Sequence, residues 1–123
     1  MNTDLAEFIE YSFGSVWALE LLLLLHDSKR GWLTPELVRE LRSSDSVVEQ
    51  SIERLVAAGL VLVEKDAKAR YAPATSQQDV LVKRLHEEYM KRPAAVRRVI
   101  LHGREEKLRS FSDAFMLKRD GGS

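Results

Sequence analysis

The sequence has no cysteine, only three prolines and six glycines, and no excess of either charge, with 19 Lys+Arg against 19 Asp+Glu in 123 residues. Without cysteine there is no disulfide framework, no thiolate metal site and no cysteine nucleophile. So little proline and glycine excludes collagen-like and low-complexity chains. Long apolar runs are missing too. The longest, Val16 to Leu25, is ten residues broken by Glu20, whereas a bilayer span needs ~20. The N-terminus has neither the basic start nor the small-residue cleavage site of a secretory signal. A soluble cytoplasmic chain with no membrane partner is the expectation.

Enzyme signatures are also wanting. His26, His86 and His102 lie far apart, and no pair has the spacing of a helical metal site. Glu87-Glu88 and Glu105-Glu106 are adjacent rather than one helical turn apart, so neither pair faces a common site. There is no glycine-rich phosphate loop. No catalytic residue, metal or cofactor is expected, and His26 near the end of its helix suits the helix dipole.

What is present is ordinary globular material, 45% hydrophobic and 31% charged, enough for one domain over residues 1–123. The balanced charge hides a gradient. Residues 1–27 carry Asp4, Glu7, Glu10, Glu20 and Asp27 with no Lys or Arg, while residues 80–123 carry eleven Lys+Arg against six Asp+Glu. Such asymmetry fits a basic end for an acidic partner, or two ends that attract each other. For Lys91, Arg92, Arg97, Arg98, Arg104, Lys107 and Arg109, pairing with the acidic N-terminal segment is favoured over phosphate contact.

Apolar periodicity predicts helices over 4–13 and 16–27, separated by Gly14 and with Ser15 as the cap of the second. The second is apolar nearly all round and is expected at the centre. Trp32-Leu33 reads as a two-residue strand. Thr34-Pro35-Glu36 reads as a helix start with Thr34 as N-cap. After the break at Ser43-Ser44-Asp45 comes a helix with Val48, Ile52 and Leu55 inward, stopped by Gly59 as a left-handed cap. In it Ser46 and Glu49 spell a capping box. Leu60–Glu64 and Ala69–Ala72 read as paired strands around a polar turn. Ser76 is expected to cap a helix over 77–91 with Leu81, Leu85 and Tyr89 inward, and Pro93 opens a last helix over 94–118. There Leu101, Leu108 and Phe115 recur every seven residues with Phe111 between them, a stripe suited to a partner helix. Phe8, Tyr11, Phe13, Trp17 and Trp32 are expected in core or dimer packing, a ligand crevice between helices being the other reading.

The segment LTPELVRELRSSDSVVEQSIERLVAAGLVLVEKDAKARY resembles the winged helix-turn-helix superfamily, and in particular its MarR-like members. The resemblance covers residues 16–73. It implies a mainly α fold with a small β-hairpin wing, flanked by N- and C-terminal dimerisation helices over 4–13 and 77–118. It further implies a homodimeric DNA-binding transcriptional regulator. On it, Asp45, Ser46, Val47, Glu49, Gln50, Glu53 and Arg54 face outward from the recognition helix. Ser46, Val47, Gln50 and Arg54 would then meet double-stranded DNA, Gln50 and Arg54 having the chemistry that pairs with base edges. Lys65, Lys68 and Arg70 of the wing would meet phosphates or a minor groove, although lysines are common at any solvated hairpin tip. Leu101, Leu108, Phe111 and Phe115 would form the dimer seam. Asp45, Glu49 and Glu53 oppose phosphate contact. A winged-helix module that contacts a protein partner without reading bases is therefore the second expectation.

Overall fold

Ser15 fixes the start of the central helix: its hydroxyl accepts a hydrogen bond from the Ala18 N–H at 3.1 Å. The computed structural model describes residues 1–103 and 105. Helix α1 runs Thr3–Ser12 and α2 runs Val16–Ser28, the two bent by 104° across Phe13–Ser15. Ala18, Leu19, Leu21, Leu22, Leu23 and Leu25 of α2 are buried, as the apolar circumference of its sequence demands. α1 is capped by Asn2, whose side chain accepts from the Leu5 N–H at 2.9 Å, and ends one residue before the expected boundary, with Phe13 as C-cap. Among the described residues no single helix is long and apolar enough to cross a membrane.

Around α2 are wrapped α3 (Thr34–Leu41), α4 (Asp45–Ala57) and a hairpin of β1 (Val61–Val63) and β2 (Ala69–Tyr71). The hairpin is antiparallel, with Val61 opposite Tyr71, Leu62 opposite Arg70 and Val63 opposite Ala69. The strand expected at Trp32-Leu33 is a single bridge, Trp32 exchanging both backbone hydrogen bonds with Ala69 at 3.0 and 2.9 Å. α4 ends in a Schellman arrangement: the Leu60 N–H reaches the Leu55 carbonyl and the Gly59 N–H the Val56 carbonyl, both at 3.0 Å. Gly59 sits at φ +77°, the left-handed cap that the sequence predicts.

Three expected caps move. Leu33, not Thr34, is the N-cap of α3, because the Leu33 carbonyl accepts the first intrahelical bond from Leu37. Glu36 then stands at the third helical position, where its carboxylate accepts from the Leu33 N–H at 2.9 Å. Ser44, not Ser46, caps α4, its hydroxyl accepting from the Val47 N–H at 3.3 Å. Ser46 and Glu49 therefore form no capping box, and Asp45 supplies the acid of the first turn. Thr75, not Ser76, caps α5 (Ser76–Lys91), with Gln78 completing a reciprocal capping box.

On α5, Val82 and Leu85 are buried, while Leu81 and Tyr89 are half-buried. Residues 93–103 are helical. Val96, Ile100 and Gly103 are their buried face, Gly103 lying so close to Glu10 that a Cβ would come within 3.2 Å of Glu10 Cγ. Leu101 is 50% exposed on another face. Leu108, Phe111 and Phe115 lie outside the described residues. The described residues are thus mainly helical with one small two-stranded sheet.

The cap assignment is open to test by urea unfolding. Ser44→Ala is expected to cost ~1 kcal/mol, while Ser46→Ala, on an exposed first-turn position, stays within ~0.5 kcal/mol of the parent.

Candidate nucleic-acid interface

α4 carries its polar side chains outward because Val48, Ser51 and Leu55 are turned onto the core. Asp45, Ser46, Glu49, Gln50 and Glu53 are exposed, and Val47 is half-buried. Among the described residues none of these three carboxylates is recorded in an ion pair. Val47, Gln50 and Arg54 of α4 border a crevice of about 380 Å³ whose other wall includes Phe13 and Trp17.

Arg54 is turned away from solvent-facing chemistry. Its guanidinium donates to the Tyr11 carbonyl at 2.6 Å and to the Ser12 carbonyl at 3.3 Å. These are carbonyls at the C-terminal end of α1, which have no partner inside that helix, and a cation also suits that end of the dipole. The sequence expects Arg54 to face outward from α4, whereas its side chain is half-buried and turned onto α1. Its engagement with α1 depends on two segments 42 residues apart, which no local pattern reveals.

On the hairpin, Lys65 is exposed and Lys68 is half-buried. Arg70 pairs through Nε with Glu64 and lies 3.7 Å from Asp66. Both acids belong to the same hairpin, so the Arg70 charge is largely neutralised locally. The turn between the strands is tied by Asp66, which accepts from the Lys68 N–H at 3.0 Å, with Ala67 at φ +66°. Of the seven residues expected to meet DNA, Ser46, Gln50 and Lys65 stand exposed, Val47 and Lys68 are partly covered, and Arg54 and Arg70 are engaged within the chain. α4 packs directly on β1, which ties the two sets together.

The aromatic side chains divide. Phe13 is fully buried and Phe8 packs edge-on against it at 5.9 Å. Tyr11, 77% exposed, and Trp17, 40% exposed, instead border the grooves beside α4. Trp32 lies under the Arg30 guanidinium, 3.5 Å from the ring centroid, and its indole N–H donates to Ser28 at 2.8 Å.

Among the described residues the acidic N-terminal segment meets residues 80–103 through the Tyr89 hydroxyl and through His86, while Arg104, Lys107 and Arg109 lie outside the described residues. The Tyr89 hydroxyl donates to Glu20 at 3.1 Å and accepts from Arg97 at 3.3 Å. Asp27 holds His26 on one carboxylate oxygen at 3.0 Å and His86 on the other at 3.1 Å. Beside them the Tyr71 hydroxyl donates to Asp79 at 2.7 Å, and Lys83 stands 3.2 Å from the other oxygen. The Tyr71 hydrogen bond, then that of Lys83, holds the Asp79 carboxyl below the usual aspartate range. Burial, then Asp79, pushes the Tyr71 phenol up. Among the described residues no group of three His, Asp or Glu side chains is placed to hold a metal ion.

No family model, curated protein or solved structure matches the chain.

Two outcomes follow from this geometry. Arg54→Ala leaves two α1 carbonyls without their charged donor and is expected to lower stability by ~1–3 kcal/mol in urea unfolding. Tyr71→Phe is expected to raise the Asp79 pKa toward its ordinary value, read from side-chain carboxyl shifts in an NMR titration. Because the folded pKa of Asp79 is depressed, its contribution to stability is present above the ordinary aspartate pKa. That contribution is lost as pH falls through the folded one.

Proposed function

We propose that this chain is a winged helix-turn-helix protein that binds double-stranded DNA as a homodimer and regulates transcription. The observation that carries the reading is the succession α3, tight turn, α4 and hairpin about a buried α2, with Ser46 and Gln50 exposed at the leading end of α4 and Lys65 at the hairpin tip. In that plan the second helix of the pair enters a major groove and the hairpin straddles the adjacent backbone. Gln50 is the side chain able to pair bidentately with an adenine edge. Lys65 and Lys68 supply phosphate contacts. Arg54 and Arg70 serve indirectly, one fixing α4 against α1 and the other stiffening the hairpin. Leu101, exposed on the last described helix, begins the seam through which two copies would present paired α4 helices.

A second reading has its own observation. Asp45, Glu49 and Glu53 face outward, and exposed Tyr11 and Trp17 stand at the grooves beside α4. Aromatic side chains beside a charged rim are the composition of a protein-binding surface, and this reading makes the chain an interaction module that does not read bases.

Binding to random and selected duplexes at about 50 mM salt separates the two. On the DNA reading, Lys65→Glu and Lys68→Glu each weaken binding to every sequence and lower the salt slope by ~1. Gln50→Ala instead relaxes preference at one base pair, costing ~1–3 kcal/mol of discrimination. A chain that ignores DNA under these conditions, or whose binding survives both reversals, belongs to the interaction reading. Sedimentation reports the dimer independently, and a pure 14.0 kDa species at micromolar concentration removes it.

A further inference from the structure

At the C-terminal end of α2, against the base of the hairpin, lies a cavity of about 220 Å³ lined by Leu25, His26, Lys29, Arg30, Arg70 and Tyr71. Three of the six are permanent cations, one is an imidazole, and none is acidic. We propose that this cavity binds the phosphoryl group of a small phosphate ester, held by Lys29, Arg30 and Arg70.

The two arginines are held in place before any ligand arrives. Arg30 lies over the Trp32 ring, donates to the Gly31 carbonyl at 2.9 Å and has Glu36 at 3.6 Å on one flank. Arg70 is fixed by Glu64 and Asp66, and it packs on the backbone at Gly31, where an added Cβ would stand 2.8 Å from its Cζ. A guanidinium has five N–H donors, and these contacts use only some of them. Lys29 is exposed, and no contact of its ammonium is recorded among the described residues. His26 donates Nδ1–H to Asp27, which leaves Nε2 of the neutral ring as an acceptor for a protonated phosphoryl oxygen. Fixed, unsaturated Arg donors with a mobile Lys beside them are the donor set that suits a tetrahedral oxyanion. The end of α2 contributes about half a negative charge there, and Glu36, Glu64 and Asp66 offset part of the arginine charge, so the attraction rests on Lys29 and on the guanidinium N–H donors those acids leave unused. Glu36, Glu64 and Asp66 stand on the arginines but do not line the cavity. A receding cavity of this size accepts a small ester, whereas a duplex backbone calls for protruding cations such as Lys65.

The chain has two tryptophans, so in Trp17→Phe the emission reports Trp32 and the Arg30 guanidinium stacked on it. Titration with inorganic phosphate near neutral pH, at ionic strength held constant with chloride, is expected to give a saturable change with a dissociation constant below about 10 mM. Lys29→Asn, which keeps a side chain tolerated in the left-handed position of Lys29 (φ +53°), is expected to weaken it at least fivefold. Arg70→Gln is expected to weaken it further, and circular dichroism with a melting curve confirms that each variant is folded. If Arg70→Gln does not fold, Lys29→Asn alone decides. A linear response, a response matched by chloride, or one unchanged by Lys29→Asn overturns the proposal. So does saturation by duplex DNA with none by inorganic phosphate, which would make the cations a backbone contact. The phosphate arm contains no nucleic acid, so its result stands whether or not α4 reads DNA.

Discussion

The burial of α2 is the constraint on which the rest of the molecule depends. Leu19, Leu21, Leu22 and Leu25 spread over nearly half the circumference of one helix and are all fully buried, with Val16 and Leu24 half-buried on the remaining side. A helix apolar all round cannot rest on a single neighbour, so α3, α4 and β2 must close around it together. Each fully buried leucine contributes ~1.5–3 kcal/mol relative to exposure, more than any cap or ion pair in the shell. Its two ends are set by separate devices, Ser15 at the start and left-handed Lys29 at the finish. The shell inherits its geometry from this choice: with Val48 and Leu55 committed inward, the outward side of α4 is fixed without reference to any ligand.

The cations are apportioned by the same closure. Arg54 crosses to the end of α1, Arg70 stays within the hairpin, and Arg30 lies on Trp32. A formal count finds the chain neutral, but the count says nothing about which charges remain available. Once those engagements are subtracted, the hairpin offers Lys65 and Lys68, and the exposed side of α4 offers carboxylates. Among the described residues, Glu20 of the acidic end and Arg97 of the basic end are likewise joined through a neutral go-between, the Tyr89 hydroxyl.

Local chemistry explains what the sequence discloses. Ser15, Gly59 and the strands on either side of the polar turn are legible because each device acts within a few residues. The starts of α3, α4 and α5 were legible only to within two residues. Ser and Thr occur in runs there, as in Ser43-Ser44 and Thr75-Ser76, and the choice among them depends on which register also satisfies the core and the third helical position. Leu33 as a cap has no side-chain signal of its own, since it is selected by Glu36. The candidate site was less legible than the fold. Ser46, Gln50 and Lys65 could be placed on the surface from periodicity. The diversion of Arg54 to α1, the exposure of Tyr11 and the cationic cavity at α2 all depend on contacts between distant segments.

Charge placement also dictates how any contact with DNA would have to be divided. Two unit charges ~6 Å apart in water interact by ~0.7 kcal/mol, so three outward carboxylates on α4 weigh about as much against phosphate as three lysines weigh for it. Dimerisation doubles both contributions and leaves their ratio unchanged. The hairpin lysines therefore cannot offset α4 by number. They can do so only by distance, because Lys65 and Lys68 extend on long flexible stems while Asp45, Glu49 and Glu53 are held close to their helix. Screening sharpens this difference, since charges beyond about 10 Å are largely silent at 0.1 M salt. A helix seated deep in the groove through Ser46 and Gln50 would bring its carboxylates within that range of both backbones. A shallow approach through the hairpin would leave them outside it. Discrimination among bases and strength of attachment thus pull this interface in opposite directions, and the single glutamine facing outward from α4 is where that conflict is concentrated.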